Sequence, residues 1–409
     1  MYLETHGYFG KIKGKGSYRY SYSKNEAIKY LAKSAESPTI PEIADHLKIS
    51  VPTMTKVVVD LLNDGYILKD GKRIVENGRK PTQYRINEEK FYVVGVEILS
   101  KWIHVSVRKP NLELVYEELC REFVLDDDPH CLEFIETFIS KTIKKSKVPK
   151  ENIIGIGIGM IGDIKTTPQE PINYYKNLSD VLARQLASNL GLKVIIENDT
   201  RAIAITEQTI GAAKGYSNAL VVKVSRKLGI AIILDGKHVA GADGLAGNLA
   251  HMQFGDCNKK RLCDCGKIGC LGTEIGGTAL KNDLLDDQGK CKTSLNELGS
   301  IENCTYHQIL EAGQQGDALS IKLIQAQGEK LGHALGNLIN LLNPNLMVLG
   351  GEFVMVMDIF IEALKMGMRK TVLPDCLNNC EIKSTTLGRF LGSKAGACVM
   401  LRGLGMIEY

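Results

Sequence analysis

Residues 255–272, GDCNKKRLCDCGKIGCLG, gather Cys257, Cys263, Cys265 and Cys270 into one glycine-bearing stretch, while the other cysteines are scattered along the chain. Thiolates at such spacing suit a tetrahedral metal, and the glycines between them let the backbone turn enough to aim the sulfurs inward. The same spacing also permits a redox pair or packed, unrelated thiols. A second group is Asn198-Asp199, where LKVIIENDTRAIAITEQ passes from a strand-like into a helical pattern. Open α/β sheets place ligand-binding groups at such strand ends.

The chain that must position these groups has 409 residues, 44% hydrophobic and 24% charged, which fits a globular protein of two or three domains. It has no apolar run long enough to span a bilayer. The opening segment MYLETHGYFGKIKGKGSYRYSYSK lacks the apolar core of a signal peptide, so a cytoplasmic chain without a membrane partner is expected. In that compartment the 11 cysteines are thiols or metal ligands rather than disulfides. The net charge is +4, but residues 1–87 carry 15 Lys and Arg against 9 Asp and Glu, so the basic excess lies at the front. A nucleic-acid-binding module joined to a mildly acidic body has this distribution.

Within that front segment, SPTIPEIADHLKISVPTMTKVVVDLLNDGYI reads as two short helices around a tight turn. Ile43, Ala44 and Leu47 line the first. Ser50 is an N-cap, and Met54, Val57, Val58, Leu61 and Leu62 form the buried stripe of the second. That periodicity leaves Thr53, Thr55 and Lys56 outward near the helix start, as in a helix-turn-helix reading a major groove. LKDGKRIVENGRKPTQYRIN follows as two extended runs, a β-hairpin wing with Lys72, Arg73, Arg79 and Lys80 near phosphates or a minor groove. Residues 1–23 have no clear period and read as a basic arm or tail.

Beyond Glu89 strands and helices alternate. FYVVGVEILSKWIHVSVR and NALVVKVSRKLGIAIILDGK are each a strand, a turn and a second strand, suggesting a duplicated α/β fold with a cleft between its halves. The combination of GVEILS, IENDTRA, GNLAHMQFG, CDCGKIGCLG, GGTAL and NPNLMVLGGEF behind a winged helix resembles the ROK family of sugar kinases and sugar-responsive repressors, most of all its xylose and N-acetylglucosamine repressor branches. The resemblance runs from about Asn25 to the end. It implies an actin-like, hexokinase-like (ribonuclease H-like) body of two α/β lobes with a sugar between them. It also implies that His251, Cys263, Cys265 and Cys270 hold a structural zinc, with Cys257 spare, and that Asn198, Asp199, Asn248 and His251 face the sugar.

The chain departs from the family's kinase pattern at both hairpins. An acid followed by Gly-Gly-Thr is replaced by Glu97-Ile98-Leu99-Ser100-Lys101, and a glycine and threonine run by Ser225-Arg226-Lys227-Leu228. Asp199, the family's base position, and LGGEF remain. Two sugar-facing carboxylates are also missing: Glu-x-Gly-His becomes Asn248-Leu249-Ala250-His251, and Cys-x-Glu becomes Cys270-Leu271-Gly272, which is expected to leave room for a bulkier substituent. Glu274 lies two residues late and is expected to face elsewhere.

The expected organisation is therefore an arm (1–23), a winged helix-turn-helix (24–88), a first lobe (89–197 with 390–409) and a second lobe carrying the zinc loop (198–389). The expected function is a non-enzymatic, sugar-responsive transcriptional regulator, a repressor. It would bind operator DNA as a homodimer or homotetramer and respond to a sugar or sugar phosphate. The alternative is an ATP-dependent sugar kinase with an accessory winged helix, and a third reading is an interaction scaffold without ligand.

Overall fold

The computed structural model describes residues 18–73, 80–126, 129–164, 171–172, 182–254, 261–287, 292–298, 300–388 and 391–407. Arg79 and Cys257 lie outside them. The chain divides into two compact units, Met1–Ala202 with Gly392–Glu408, and Ile203–Leu391.

The first unit opens with helices Tyr18–Lys33, Ile40–His46 and Val51–Asn63, then strands β1 (Ile67–Lys72) and β2 (Thr82–Ile86), paired antiparallel as a wing. The first helix starts earlier than its apolar periodicity suggests, so Tyr18–Ser23 are helical rather than part of an arm. Tyr20 supplies the reason, because its hydroxyl donates to Asp60 Oδ2 at 3.0 Å and ties this turn to the third helix. Ser50 has the extended backbone of an N-cap, but its side chain makes no capping bond. Its Oγ shares a 2.8 Å hydrogen bond with Thr53 Oγ1 instead.

The rest of this unit is a sheet of β3 (Tyr92–Leu99), β4 (Trp102–Arg108), β5 (Leu114–Cys120), β6 (Ile153–Met160) and, beyond a two-residue ladder of β7 (Asp163–Ile164) and β8 (Pro171–Ile172), β9 (Val194–Asn198). Its order is β5-β4-β3-β6-β9, with β3 to β5 antiparallel and β6 and β9 parallel to β3. The second unit repeats the plan with β10 (Ala219–Val224), β11 (Leu228–Leu234), β12 (Lys237–His238), β13 (Leu346–Gly350) and β14 (Glu381–Ser384), in the order β12-β11-β10-β13-β14. Both sheets are a meander of three strands joined to two parallel ones, and the expected duplication is thus present strand for strand.

The glycines of NIIGIGIGMIG serve packing. A Cβ on Gly157 would come 2.0 Å from Gly396 O, because helix Ser393–Gly403 lies directly on β3 and β6. No described helix is long and apolar enough to cross a membrane.

Candidate functional site

In the N-terminal segment, Met54, Val57, Val58 and Leu61 are buried, and Thr53, Thr55 and Lys56 are exposed on the opposite face of helix Val51–Asn63. The stripe of four apolar side chains, each stabilising by roughly 1.5–3 kcal/mol when fully buried, fixes which face looks outward. Thr55 Oγ1 donates back to Val51 O at 2.8 Å, and Lys56 is an exposed cation of that surface. Lys72 and Lys80 are exposed on either side of the turn between β1 and β2.

Arg73 behaves differently. Its guanidinium Nη1 bonds Glu42 Oε1, and Nη2 lies 3.8 Å from Glu36. Glu42 Oε2 accepts the backbone N–H and the hydroxyl of Thr39, both at 2.8 Å, and these donors hold its carboxyl below the usual carboxylate range. Arg73 thus joins the wing to the start of helix Ile40–His46. In this structure its guanidinium is engaged by these two carboxylates.

Helix Val51–Asn63 is also anchored from behind. The Lys24 side chain is 2% exposed, and its ammonium lies 3.2 Å from Asp60 and 3.3 Å from Asp64. The Lys24 and Tyr20 donors hold Asp60 below the usual carboxylate range. Burial and the hydrogen bond to Asp60 push the Tyr20 hydroxyl up to about 12.

In the second unit, the ligand atoms of His251, Cys263, Cys265 and Cys270 all lie within 4.8 Å of one another. Cys263 Sγ is 3.5 Å from His251 Nδ1, and Cys265 Sγ is 3.6 Å from Cys270 Sγ. A tetrahedron with metal–sulfur bonds of about 2.3 Å has edges of about 3.8 Å, so the set fits one four-coordinate ion. The local fold aims the sulfurs. Cys263 N–H donates to Lys267 O at 2.8 Å, and Gly266, at φ +81°, closes the turn by donating to Cys263 O at 2.8 Å. Burial and its thiol neighbours push Cys270 up to about 12, while the Lys267 backbone N–H holds Cys265 below the usual thiol range. Three crowded thiols cannot all ionise alone, and a divalent cation removes that obstacle.

The two hairpin turns are filled from within the protein. In the β3–β4 turn, Trp102 Nε1 donates to Glu97 Oε2 at 3.1 Å, and Leu125 N–H donates to Ser100 O at 3.1 Å. In the β10–β11 turn, Ser225 O accepts Gly277 N–H at 2.8 Å and Arg226 O accepts Thr278 N–H at 3.1 Å. Those donors open helix Gly277–Asp286. N–H groups of the kind that bind phosphate are therefore consumed by carbonyls. Lys227 Nζ pairs with Asp264 Oδ2 at 2.5 Å. In the LGGEF motif, a Cβ on Gly351 (φ +88°) would meet Val224 O at 2.4 Å, so this glycine is required by packing under the same turn.

Asn198 and Asp199 come together where β9 enters helix Asp199–Ile210, and both belong to the first unit rather than the second lobe expected for them. Asn198 Oδ1 accepts the N–H groups of Thr200 at 3.0 Å and Arg201 at 3.1 Å, and its Nδ2 donates to Gly162 O at 2.8 Å. The amide is thus a helix cap and strand tie, spent on holding Asp199. Asp199 is buried and its Oδ1 accepts Thr200 N–H at 2.7 Å. Asn248 is exposed in the second unit, with Nδ2 donating to Leu245 O at 3.1 Å, and it precedes the short turn Leu249–His251. Because His251 Nδ1 faces Cys263, Nε2 is the ring edge directed away from the cluster. Glu274 is paired with Lys330 at 2.5 Å.

Gly272 does not open space. A Cβ there would lie 3.1 Å from both Cβ and O of Ala250. The reading from sequence also missed Lys24, Glu42 and Asp264. Charged residues read as solvated, and only the long-range pairing distinguishes them.

The ROK family model matches residues 93–402. A xylose repressor of Caldicellulosiruptor bescii is 26% identical over 79% of this chain and 82% of its own length. Among solved structures, a ROK family transcriptional regulator described as a homologue of the Escherichia coli MLC protein superposes with a TM-score of 0.77 at 20% identity, covering 94% of this chain and 96% of that one. A ROK family glucokinase from Streptomyces griseus, solved with glucose and AMPPNP, gives 0.62 at 21% identity over 77% of this chain and 97% of that one. At these identities the two structures speak to fold, and it is shared by a regulator and a kinase.

Proposed function

The chain belongs to the ROK family, and on that premise we propose that it is a sugar-responsive DNA-binding transcriptional regulator, a repressor, and not a kinase. One observation carries this reading: a winged helix with Thr53, Thr55 and Lys56 exposed precedes a body whose hairpin turns are filled by the protein's own groups. Lys56, Lys72 and Lys80 meet phosphates, with Arg79 as a further candidate, while Thr53 and Thr55 approach base edges. Two operator half-sites need two reading heads, so the working form is a homodimer or homotetramer in the cytoplasm.

Asp199, Asn248 and His251 are the effector-facing groups of this proposal, with Asn198 holding Asp199. Asp199 accepts a hydrogen bond from a sugar hydroxyl, and His251 offers Nε2–H. A sugar or sugar derivative bound with unequal affinity by the DNA-competent and DNA-incompetent states shifts their populations. His251, Cys263, Cys265 and Cys270 hold one structural zinc, which supplies folding free energy to the loop rather than chemistry.

The test has two parts. Selection of bound fragments from random duplex DNA should return a two-fold symmetric site. A thermal-shift panel of sugars and sugar phosphates should then find a ligand that raises the melting temperature and releases that DNA. Failure to enrich any sequence would overturn the proposal.

A further inference from the structure

Val51 and Val59 are each 46% exposed on helix Val51–Asn63, whereas Val57 and Val58 of the same helix are buried. Folding gains little from the exposed pair, because valine is a weaker helix former than alanine and neither side chain enters the core. With Thr55 between them at i, i+4 and i+8 spacing, they form one exposed ridge of the helix. The hydroxyls on this face are already engaged. Thr55 Oγ1 donates to Val51 O at 2.8 Å, so Thr55 keeps a methyl group but has no hydrogen left to donate. Thr53 and Ser50 spend one of their two hydroxyl hydrogens on each other, at 2.8 Å. Pro52, also exposed, has no backbone N–H. Among the described residues, the exposed side-chain donors of this helix without any partner are Lys56 and Asn63, its last residue.

In the major groove thymine differs from the other bases by its C5-methyl group, which apolar side chains and threonine methyls contact. A ridge of valine, threonine and valine matches that feature, and the ridge itself has no donor for guanine N7 or O6. Charge complementarity supports a DNA duplex as the occupant of this face, since Lys56 is exposed on the same helix and Lys72 and Lys80 on the wing. Resting on the regulator reading for its DNA, we propose that Val51, Thr55 and Val59 are specificity-determining residues that read thymine methyl groups. The core of the operator half-site is then rich in A·T pairs, while Lys56 and the wing lysines hold the register on the phosphates.

The test uses the full chain and the duplex it selects from random DNA, resynthesised with deoxyuridine in place of thymidine in the half-site core. Deoxyuridine keeps the base pair and removes only the C5 methyl. Each contacted methyl that is lost should weaken binding about fourfold, the worth of withdrawing one carbon from an apolar contact. Val51→Ala, Val59→Ala and Thr55→Ser, the last of which removes the methyl and keeps the hydroxyl, should each abolish that penalty at one thymine. None of the three should lower the melting temperature, because no buried group is removed. Equal affinity of the parent for the two duplexes, or penalties that persist in all three variants, overturns the inference and leaves the regulator reading intact. If no duplex is selected at all, the regulator reading fails and the inference falls with it.

Discussion

Lys227 Nζ lies 2.5 Å from Asp264 Oδ2, and Asp264 stands between the cluster cysteines Cys263 and Cys265. The turn that departs from the kinase pattern is thereby tied to the metal-ligand loop within one unit. The carboxylate is held below its usual range, first by the Lys227 hydrogen bond and charge. Both side chains are substantially exposed, so the pair is worth about 1 kcal/mol or less. Lys227→Ala should therefore speed zinc release to a chelator by up to about fivefold, and the difference should vanish in high salt. Equal release rates at low salt would show that the pair does not restrain the loop.

Purified protein should contain one zinc per chain. Cys265→Ala should lose that metal and lower the melting temperature, while Cys257→Ala should retain it. Elemental analysis of the three proteins decides the matter, and a metal-free parent chain would remove the zinc assignment.

For DNA binding, Lys56→Ala should weaken affinity and reduce the slope of log affinity against log salt by about 0.9 if one phosphate contact is lost. Arg73→Ala should act by another route. It frees Glu42 from its guanidinium partner, so the wing loosens and the melting temperature falls together with affinity. Fluorescence anisotropy over a salt series, beside thermal unfolding, separates the two. Arg73→Ala lowering affinity with unchanged unfolding would make it a phosphate ligand after all.

Periodicity made the scaffold legible in the sequence. The apolar stripe from Met54 to Leu61 and the paired β-branched runs of β3–β4 and β10–β11 announce their own elements, because burial of one face imposes a period. Cysteine spacing marked the loop whose thiols lie beside His251, though spacing alone left a redox pair open. What stayed hidden depends on groups far apart in the chain. Lys24 carries a charge that reads as solvent-facing, yet it is buried against Asp60 and Asp64, 36 and 40 positions away. Gly272 reads as added room only until Ala250 is seen beside it.

The Lys24 anchor has a pH signature. Asp60 in the folded domain titrates below its ordinary 3.8, so its contribution is present above that value and is lost as pH falls through the lower, folded-state value. Lys24→Met replaces the ammonium by an apolar chain of similar length. It should lower the melting temperature at pH 7 and flatten the fall in stability below about pH 4. A parent and variant with parallel stability profiles across that range would show that Lys24 contributes only packing.

The sharpest separation between regulator and kinase is ATP turnover, which should be absent with every sugar although Asp199 is retained. A positioned base contributes typically ~10²- to 10⁴-fold, but only for a phosphoryl group already held in line. Here Ser225 O and Arg226 O occupy the N–H groups of Gly277 and Thr278, and Trp102 occupies Glu97. Phosphate oxygens arriving at either turn would meet carbonyls and side chains in place of open donors. In the proposed function Asp199 accepts a hydrogen bond from a sugar hydroxyl, so Asp199→Asn should weaken the effector response about tenfold, the cost of a charge-assisted hydrogen bond, and leave DNA binding without effector nearly intact. A coupled ADP-release assay over a sugar panel, with operator binding measured beside it, checks both halves. Robust turnover that disappears in Asp199→Asn would make this chain a sugar kinase carrying a winged helix.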